Sequence, residues 1–167
     1  MRKAQVGRLL TGMLVLALTA CMPSPAQLRD RFYSKTAVFD ELQRRLMHED
    51  ADILRVDSDG IGMTGVLGPQ SADSRNAFYQ QSLQVLDAKA IVSDPQDSHA
   101  FAVIAAGSPF SKTRIAGWKY WPNGPPPAEI VTDRDAFART LRTGGGKRVA
   151  YQRLRSDWYL YVVGADS

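Results

Sequence analysis

The chain of 167 residues has one cysteine, Cys21, and two histidines, His48 and His99. A lone thiol closes no internal disulfide, so the fold must be held by its core. The two imidazoles are far apart in sequence and neither has a second ligand nearby, so no metal or other cofactor is expected. A run able to cross a bilayer is also missing: spanning takes about 20 apolar residues, and the uninterrupted run here extends only from Met13 to Ala20. There is no Gly-x-Ser-x-Gly elbow and no Ser-x-x-Lys pair, so nucleophilic catalysis lacks its usual parts. These absences favour a protein that is not an enzyme.

The N-terminus holds Arg2, Lys3 and Arg8, then an apolar stretch from Val6 to Leu18 broken early by Gly7, Arg8, Thr11 and Gly12, then small Thr19 and Ala20. That is the layout of a secretory signal: a cationic start that stays cytoplasmic and a short apolar segment. Its end, Leu18-Thr19-Ala20-Cys21, resembles the lipobox of bacterial lipoproteins over residues 1–21. The resemblance implies that the Cys21 thiol carries diacylglycerol, that the chain is cut before Cys21, and that the new amine is acylated. Leu18, Thr19 and Ala20 would then be the recognition and cleavage residues. Met22 stands where an aspartate would favour retention at the inner membrane, so a Gram-negative host would place the protein on the outer membrane, facing the periplasm. One acyl chain gives only marginal membrane binding, whereas two or three anchor a protein durably.

Cleavage also removes most of the apparent basicity. Residues 1–20 contain three cations and no acid, so a formal charge of +4 falls to +1. Nucleic acid is not an expected partner, because phosphate binding needs a sustained cationic surface. The expected division is a signal at 1–20, a lipidated N-terminus and short linker at 21–27, and one domain at 28–167, with the fold starting close to the bilayer. The 147 residues left after cleavage are enough for one core without disulfides.

Along that domain, Leu28, Phe32, Phe39, Leu42 and Leu46 recur at spacings of three and four with Lys35 as the one interruption, which predicts an amphipathic helix packed on its own domain. Strands are expected at 53–56 and 61–67 around Asp57-Ser58-Asp59-Gly60, and a second helix at 71–86 with Ser71 as N-cap and Tyr79, Leu83 and Leu86 on one face. A hairpin is read at 90–92 and 101–105, and a strand at 115–121. The prolines that follow cannot continue a ladder and predict a stiff exposed connection. Thr132 with Asp135 resembles a capping box for a short helix through Phe137 and Leu141. Two closing strands, 148–154 and 158–163, complete the chain. Adjacent strand pairs with helices before and between them predict an α+β fold: an antiparallel sheet of hairpins covered on one face by two or three helices. The closing segment is similar to the C-terminal hairpin of small uncharacterised lipoproteins, a likeness that implies no activity.

Candidate chemistry is thin. Asp57 to Gly60 lacks the further ligands of a calcium loop and reads as a turn. Gly144-Gly145-Gly146-Lys147 has Arg148 where a phosphate loop needs Ser or Thr, and reads as a helix end. His48 suits the C-terminal end of the first helix. Glu49 and Asp50, adjacent in sequence, do not supply the separation that glycoside hydrolysis needs. The aromatic density of Trp118, Tyr120, Trp121, Tyr151, Trp158, Tyr159 and Tyr161 is the main surface signal. Neighbours in a strand point to opposite faces, so these rings cannot share one core, and part of their area is expected to stay exposed. Trp118, Tyr120 and Trp121, with the loop to Pro127, form the candidate binding surface. The expected function is a lipid-anchored envelope protein acting as a noncatalytic interaction or structural module. Its partners would be the membrane, through the acyl chains on Cys21, and an envelope protein; the alternatives are a peptidoglycan or other glycan ligand and, more remotely, a small hydrolase.

Overall fold

A computed structural model describes residues 22–48, 55–57, 72–94, 97–107, 115–133, 136–137 and 149–164. The chain enters through α1 (Pro25–Ser34) and α2 (Thr36–Leu46), then forms β1 (Arg55–Asp57), α3 (Ala72–Leu86), β2 (Ala90–Asp94), β3 (Asp97–Ala106), β4 (Ile115–Tyr120), a 3-10 turn (Pro127–Glu129), β5 (Val149–Arg155) and β6 (Trp158–Val163). The six strands make one antiparallel sheet in the order β1-β2-β3-β4-β6-β5. This is the expected α+β architecture.

The fold begins earlier than the expected boundary at residue 28. The Ser24 hydroxyl accepts from the Gln27 N–H at 3.2 Å and the Gln27 side chain accepts from the Ser24 N–H at 2.8 Å, so a reciprocal cap starts α1 with Pro25 in its first turn. Ser24 thus satisfies one of the N–H groups that a helix start leaves open, and Pro25 sits where a missing N–H costs nothing. Met22 already packs against the core.

The single helix expected from Leu28 to Leu46 is two helices, and the break falls at the residue that interrupts the apolar stripe. Lys35 leaves helical geometry at φ −120° and ψ 24°, while its N–H still donates to the Arg31 and Phe32 carbonyls. The apolar face survives the break: Leu28, Phe32, Phe39 and Leu42 are all fully buried. On α3 the expected face is present, with Tyr79, Leu83 and Leu86 fully buried; the Ser71 cap lies outside the described residues. Asp87 ends α3 at φ +46°, with the Ala88 N–H reaching the Leu83 carbonyl at 2.9 Å and the Asp87 N–H the Gln84 carbonyl at 3.2 Å. This closure usually takes glycine in the left-handed position. Arg31 of α1 clamps the same end, donating to the Leu86 and Asp87 carbonyls at 3.0 Å each and pairing with the Asp87 carboxylate at 3.0 Å. A cation there suits the negative end of the helix dipole.

In the sheet, the second hairpin is β2 with β3, as the sequence suggested, and the closing pair is β5 with β6 turning through Ser156 at φ +44°. Segment 61–67 lies outside the described residues; β1 itself pairs with β2, Val56 opposite Ile91. Asp57 belongs to β1 and accepts two bonds from Arg55 at 2.7 Å each, so its carboxylate serves an ion pair rather than a turn. At the short helix, Asp133 does the capping in place of Thr132: its carboxylate accepts from the Ala136 N–H at 3.2 Å and its carbonyl from the Phe137 N–H at 3.1 Å. Gly117 sits beside the β3 irregularity at Ile104 to Ala106, and a Cβ there would collide with the Val103 carbonyl oxygen. Only glycine lets β3 and β4 approach in this way.

Strand alternation divides the sheet's side chains between two faces. Trp118, Trp158, Tyr120, Phe101, Val103, Leu160 and Val162 join the helices in the main core. Three polar bonds fix the helices on them. The Trp118 indole N–H donates to the Leu28 carbonyl at 3.0 Å, and Gln43 bridges two rings, accepting from the Trp158 indole at 3.3 Å and donating to the Tyr120 hydroxyl at 3.1 Å. A buried indole N–H needs such a partner.

Candidate functional site

The expected surface of Trp118, Tyr120 and Trp121 does not hold together, because alternation along β4 sends its members to opposite faces. Trp118 is fully buried and Tyr120 nearly so, both under the helices, which removes them from any binding surface. Burial, together with the nearby Asp157 carboxylate, raises the Tyr120 phenol above its ordinary value, and the Gln43 bond opposes this only in part. Trp121 alone points to the other face, which carries no helix among the described residues and is called the helix-free face below; its ring is half-buried there. Leu18, Thr19, Ala20 and Cys21 lie outside the described residues.

Instead, the helix-free face brings together residues that the sequence reading left scattered. Tyr151 of β5 and Tyr159 and Tyr161 of β6 form a second buried cluster with Ala90 and Ile104, flanked by Trp121, Ile115, Val149 and Val163. Tyr151 lies between the others: its ring centroid is 5.7 Å from Trp121 at a steep angle, 6.4 Å from Tyr159 edge-on and 6.4 Å from Tyr161 in a stacked pose. Lys119 joins them because it pairs with Tyr159 across β4 and β6. Its ammonium sits 3.8 Å over the Trp121 ring and 6.0 Å from that of Tyr151, on a side chain only 9% exposed. A cation over an indole face is held by the ring's quadrupole, more strongly as water is excluded.

The proline-rich connection runs beside this cluster as a strap. The Trp121 N–H donates to the Asp157 carbonyl at 2.8 Å, and the Gly124 N–H closes a turn onto the Trp121 carbonyl at 3.0 Å. Pro122 is preset for the second position of that turn, and Gly124 takes φ +69° with its α-carbon side against the Tyr159 hydroxyl; a Cβ would come within 3.3 Å of that oxygen. The strap then crosses β6 and reaches the outer edge of β5, where Ile130 bridges Tyr151 in parallel and the Val131 N–H donates to the Tyr151 carbonyl at 2.7 Å. A polar edge that would otherwise be open to pairing is closed there. The expected exposed connection is therefore exposed only in part: Pro126 and Pro127 face outward, but Pro125 is buried.

Of these rings only Trp121 is partly accessible; the three tyrosines and Lys119 are buried. Burial, with Tyr151 beside it, pushes the Tyr161 phenol well above its ordinary value, so it remains a protonated donor and supplies no base near neutral pH. Among the described residues no group of three or more His, Cys, Asp and Glu is placed to hold a metal. His48 ends α2, where its N–H donates to the Arg45 carbonyl at 3.0 Å, and His99 stands exposed on β3. Glu49, Asp50 and residues 144–148 lie outside the described residues. One exposed aromatic escaped the sequence reading: Tyr33 is 53% exposed, with its hydroxyl donating to the Leu154 carbonyl at 2.9 Å. It falls off the apolar stripe by one position, which was the available signal. Compared with known protein families, curated proteins and solved structures, the chain matches none.

Proposed function

We propose that this protein is a lipid-anchored component of a bacterial cell envelope, held to the membrane through acyl chains on Cys21, whose α+β domain works as a noncatalytic interaction or structural module. The observation that carries this reading is the sequence Leu18-Thr19-Ala20-Cys21 at the end of a short signal-like segment. One feature of the fold agrees with it: the reciprocal cap at Ser24 starts the first helix three residues past the cysteine, close to the proposed lipid site. Among the described residues, no helix is long and apolar enough to cross a membrane.

The test is processing of the full chain in a bacterial host. Wild type is expected to incorporate labelled palmitate, to begin at Cys21 by intact mass, and to fractionate with membranes; Cys21→Ser should do none of these. A bare thiol at residue 21, a retained Met1, or a serine variant that still fractionates with membranes would overturn the proposal. A second reading, glycan binding, draws on the half-buried Trp121, since ring faces stack on sugars. Saturable binding to purified cell wall that is lost in Trp121→Ala would favour it, and absence of binding by wild type would remove it.

A further inference from the structure

The sequence holds two asparagines, Asn76 and Asn123. Asn76 lies within α3 and precedes Ala77, where helix geometry commits the following N–H to a carbonyl four residues back. Asn123 is placed differently. It is exposed at the third position of the turn from Trp121 to Gly124, and the glycine after it puts no Cβ in the way of an approach to the backbone nitrogen. The turn is closed by the 3.0 Å donation from the Gly124 N–H to the Trp121 carbonyl. Pro122, Pro125, Pro126 and Pro127 have no N–H to give. After the Trp121 N–H on Asp157, the next backbone-to-backbone bond from strap to sheet, among the described residues, is that of Val131 on Tyr151. A turn tied so sparsely opens without disturbing the ladder, because local openings cost far less than global unfolding.

We propose that Asn123 is a site of spontaneous covalent modification, at which water converts the amide to aspartate and isoaspartate, and that the isoaspartate form loosens the strap over Tyr159. The site is independent of the lipid anchor. In the closed turn the Gly124 N–H is engaged by the Trp121 carbonyl, which keeps its nitrogen from reacting. When the turn opens, that nitrogen gives up its proton and attacks the Asn123 Cγ. A C–N bond forms, the Cγ–Nδ2 bond breaks, and Nδ2 takes up the proton and leaves as ammonia. Water then opens the cyclic imide. Cleavage at Cγ leaves aspartate; cleavage at the backbone carbonyl leaves isoaspartate, in which the chain runs through the side chain. One water is consumed, one ammonia is released, and nothing is oxidised or reduced. Isoaspartate lengthens the main chain by a methylene, about 1.5 Å. Gly124 has no slack for it: its N–H bond to Trp121 is 3.0 Å long, and a Cβ on it would come within 3.3 Å of the Tyr159 hydroxyl. The extra atom displaces Gly124 from one contact or both, and Trp121 loses the turn that holds it half-buried.

The test is prolonged incubation of the full chain at neutral pH, folded and in parallel unfolded in urea, followed by mass analysis of the tryptic peptide from Tyr120 to Arg134. In the folded protein this peptide is expected to gain the mass of amide-to-acid conversion several-fold more slowly than in urea, and to become a substrate for isoaspartyl methyltransferase, while Asn76 stays an amide. Pro122→Ala, which removes the residue that presets the turn, should speed conversion in the folded state several-fold; Asn123→Gln should keep its amide. Iodide quenching reads the strap, because Trp118 and Trp158 are fully buried and Trp121 supplies the quenchable light. Quenching should rise in step with isoaspartate in wild type and stay constant in Asn123→Gln incubated alongside. No conversion in folded wild type by the time the unfolded chain has converted fully overturns the site. An unchanged rate in folded Pro122→Ala overturns control by the turn, and isoaspartate without added quenching overturns the loosening of the strap.

Discussion

The two faces of the sheet are built from the same kinds of residue and put to different uses. Under the helices, Phe32, Phe39, Phe101, Tyr120, Trp118 and Trp158 interlock at centroid distances of 4.7–5.6 Å, and each indole N–H has a bond to α1 or α2. On the helix-free face, Tyr151, Tyr159 and Tyr161 meet at a wider 6.4 Å with a buried ammonium among them. The first face uses aromatic area to hold three helices. The second brings hydroxyls and a cation out of water, which adds less to stability per ring because desolvated polar groups offset part of the apolar gain. Residues 158 and 159 are neighbours in sequence yet belong to the two systems, so substitutions along β6 compare them directly.

The largest effect is expected at Trp158. Trp158→Ala removes the ring that touches Phe32, Phe39, Phe101 and Tyr120 and should cost about 3–5 kcal/mol, read as a lowered midpoint in urea unfolding. Tyr159→Phe, one residue on, should cost no more than about 1 kcal/mol. Comparable losses at the two positions would erase the distinction between the faces. Next comes the glycine that lets both faces share one backbone: Gly117→Ala drives a methyl into the Val103 carbonyl and should cost about 1–3 kcal/mol, with hydrogen exchange accelerating first in β3 and β4. Lys119→Met keeps the length of the stem and removes the charge over Trp121, for an expected loss of about 1 kcal/mol and a change in Trp121 fluorescence. A raised midpoint would show that burying the amine costs more than the rings return.

The contrast between faces also explains what could be read in advance. The α+β class and the buried stripe of Leu28, Phe32, Phe39 and Leu42 follow from periodicity, because each face is decided within one element. Alternation at 118–121 and 158–161 likewise shows that the aromatics must divide. It does not show which residues meet across strands: Lys119 reaches Tyr159 only because β4 pairs with β6 rather than with β5. The strap was hidden for a similar reason. Its prolines announce that no ladder continues, but its course over β6 is set by Gly124 against Tyr159 and Val131 on Tyr151, contacts between residues 20 to 35 positions apart. The lapse in the stripe at Lys35 does not by itself distinguish a break from a continuous helix, because one lysine can extend its charged tip into water.

The smallest effect lies on the helix side and depends on pH. Glu41 accepts from Arg44 at 2.6 and 2.8 Å and from Arg45 at 2.7 Å, and these bonds, followed by the charges of the same two residues, hold its carboxyl down at about 2 against an ordinary 4.5. Arg45 in turn lies 3.8 Å over the Phe78 ring, so the carboxylate steadies a contact between α2 and α3. A folded-state value below the unfolded one means that Glu41 contributes its full stabilisation above pH 4.5 and loses it as pH falls towards about 2, where the carboxylate takes up its proton in the folded state as well. The carboxylate is about a third exposed, so salt should weaken the effect further. Melting temperatures of wild type and Glu41→Gln should therefore converge between pH 4.5 and pH 2, with a smaller gap in high salt, while Tyr159→Phe keeps a constant offset from wild type across the same range. Parallel curves for Glu41→Gln would mean that Arg45 stays over Phe78 without the carboxylate, and that the helix-side face owes its hold to the rings alone.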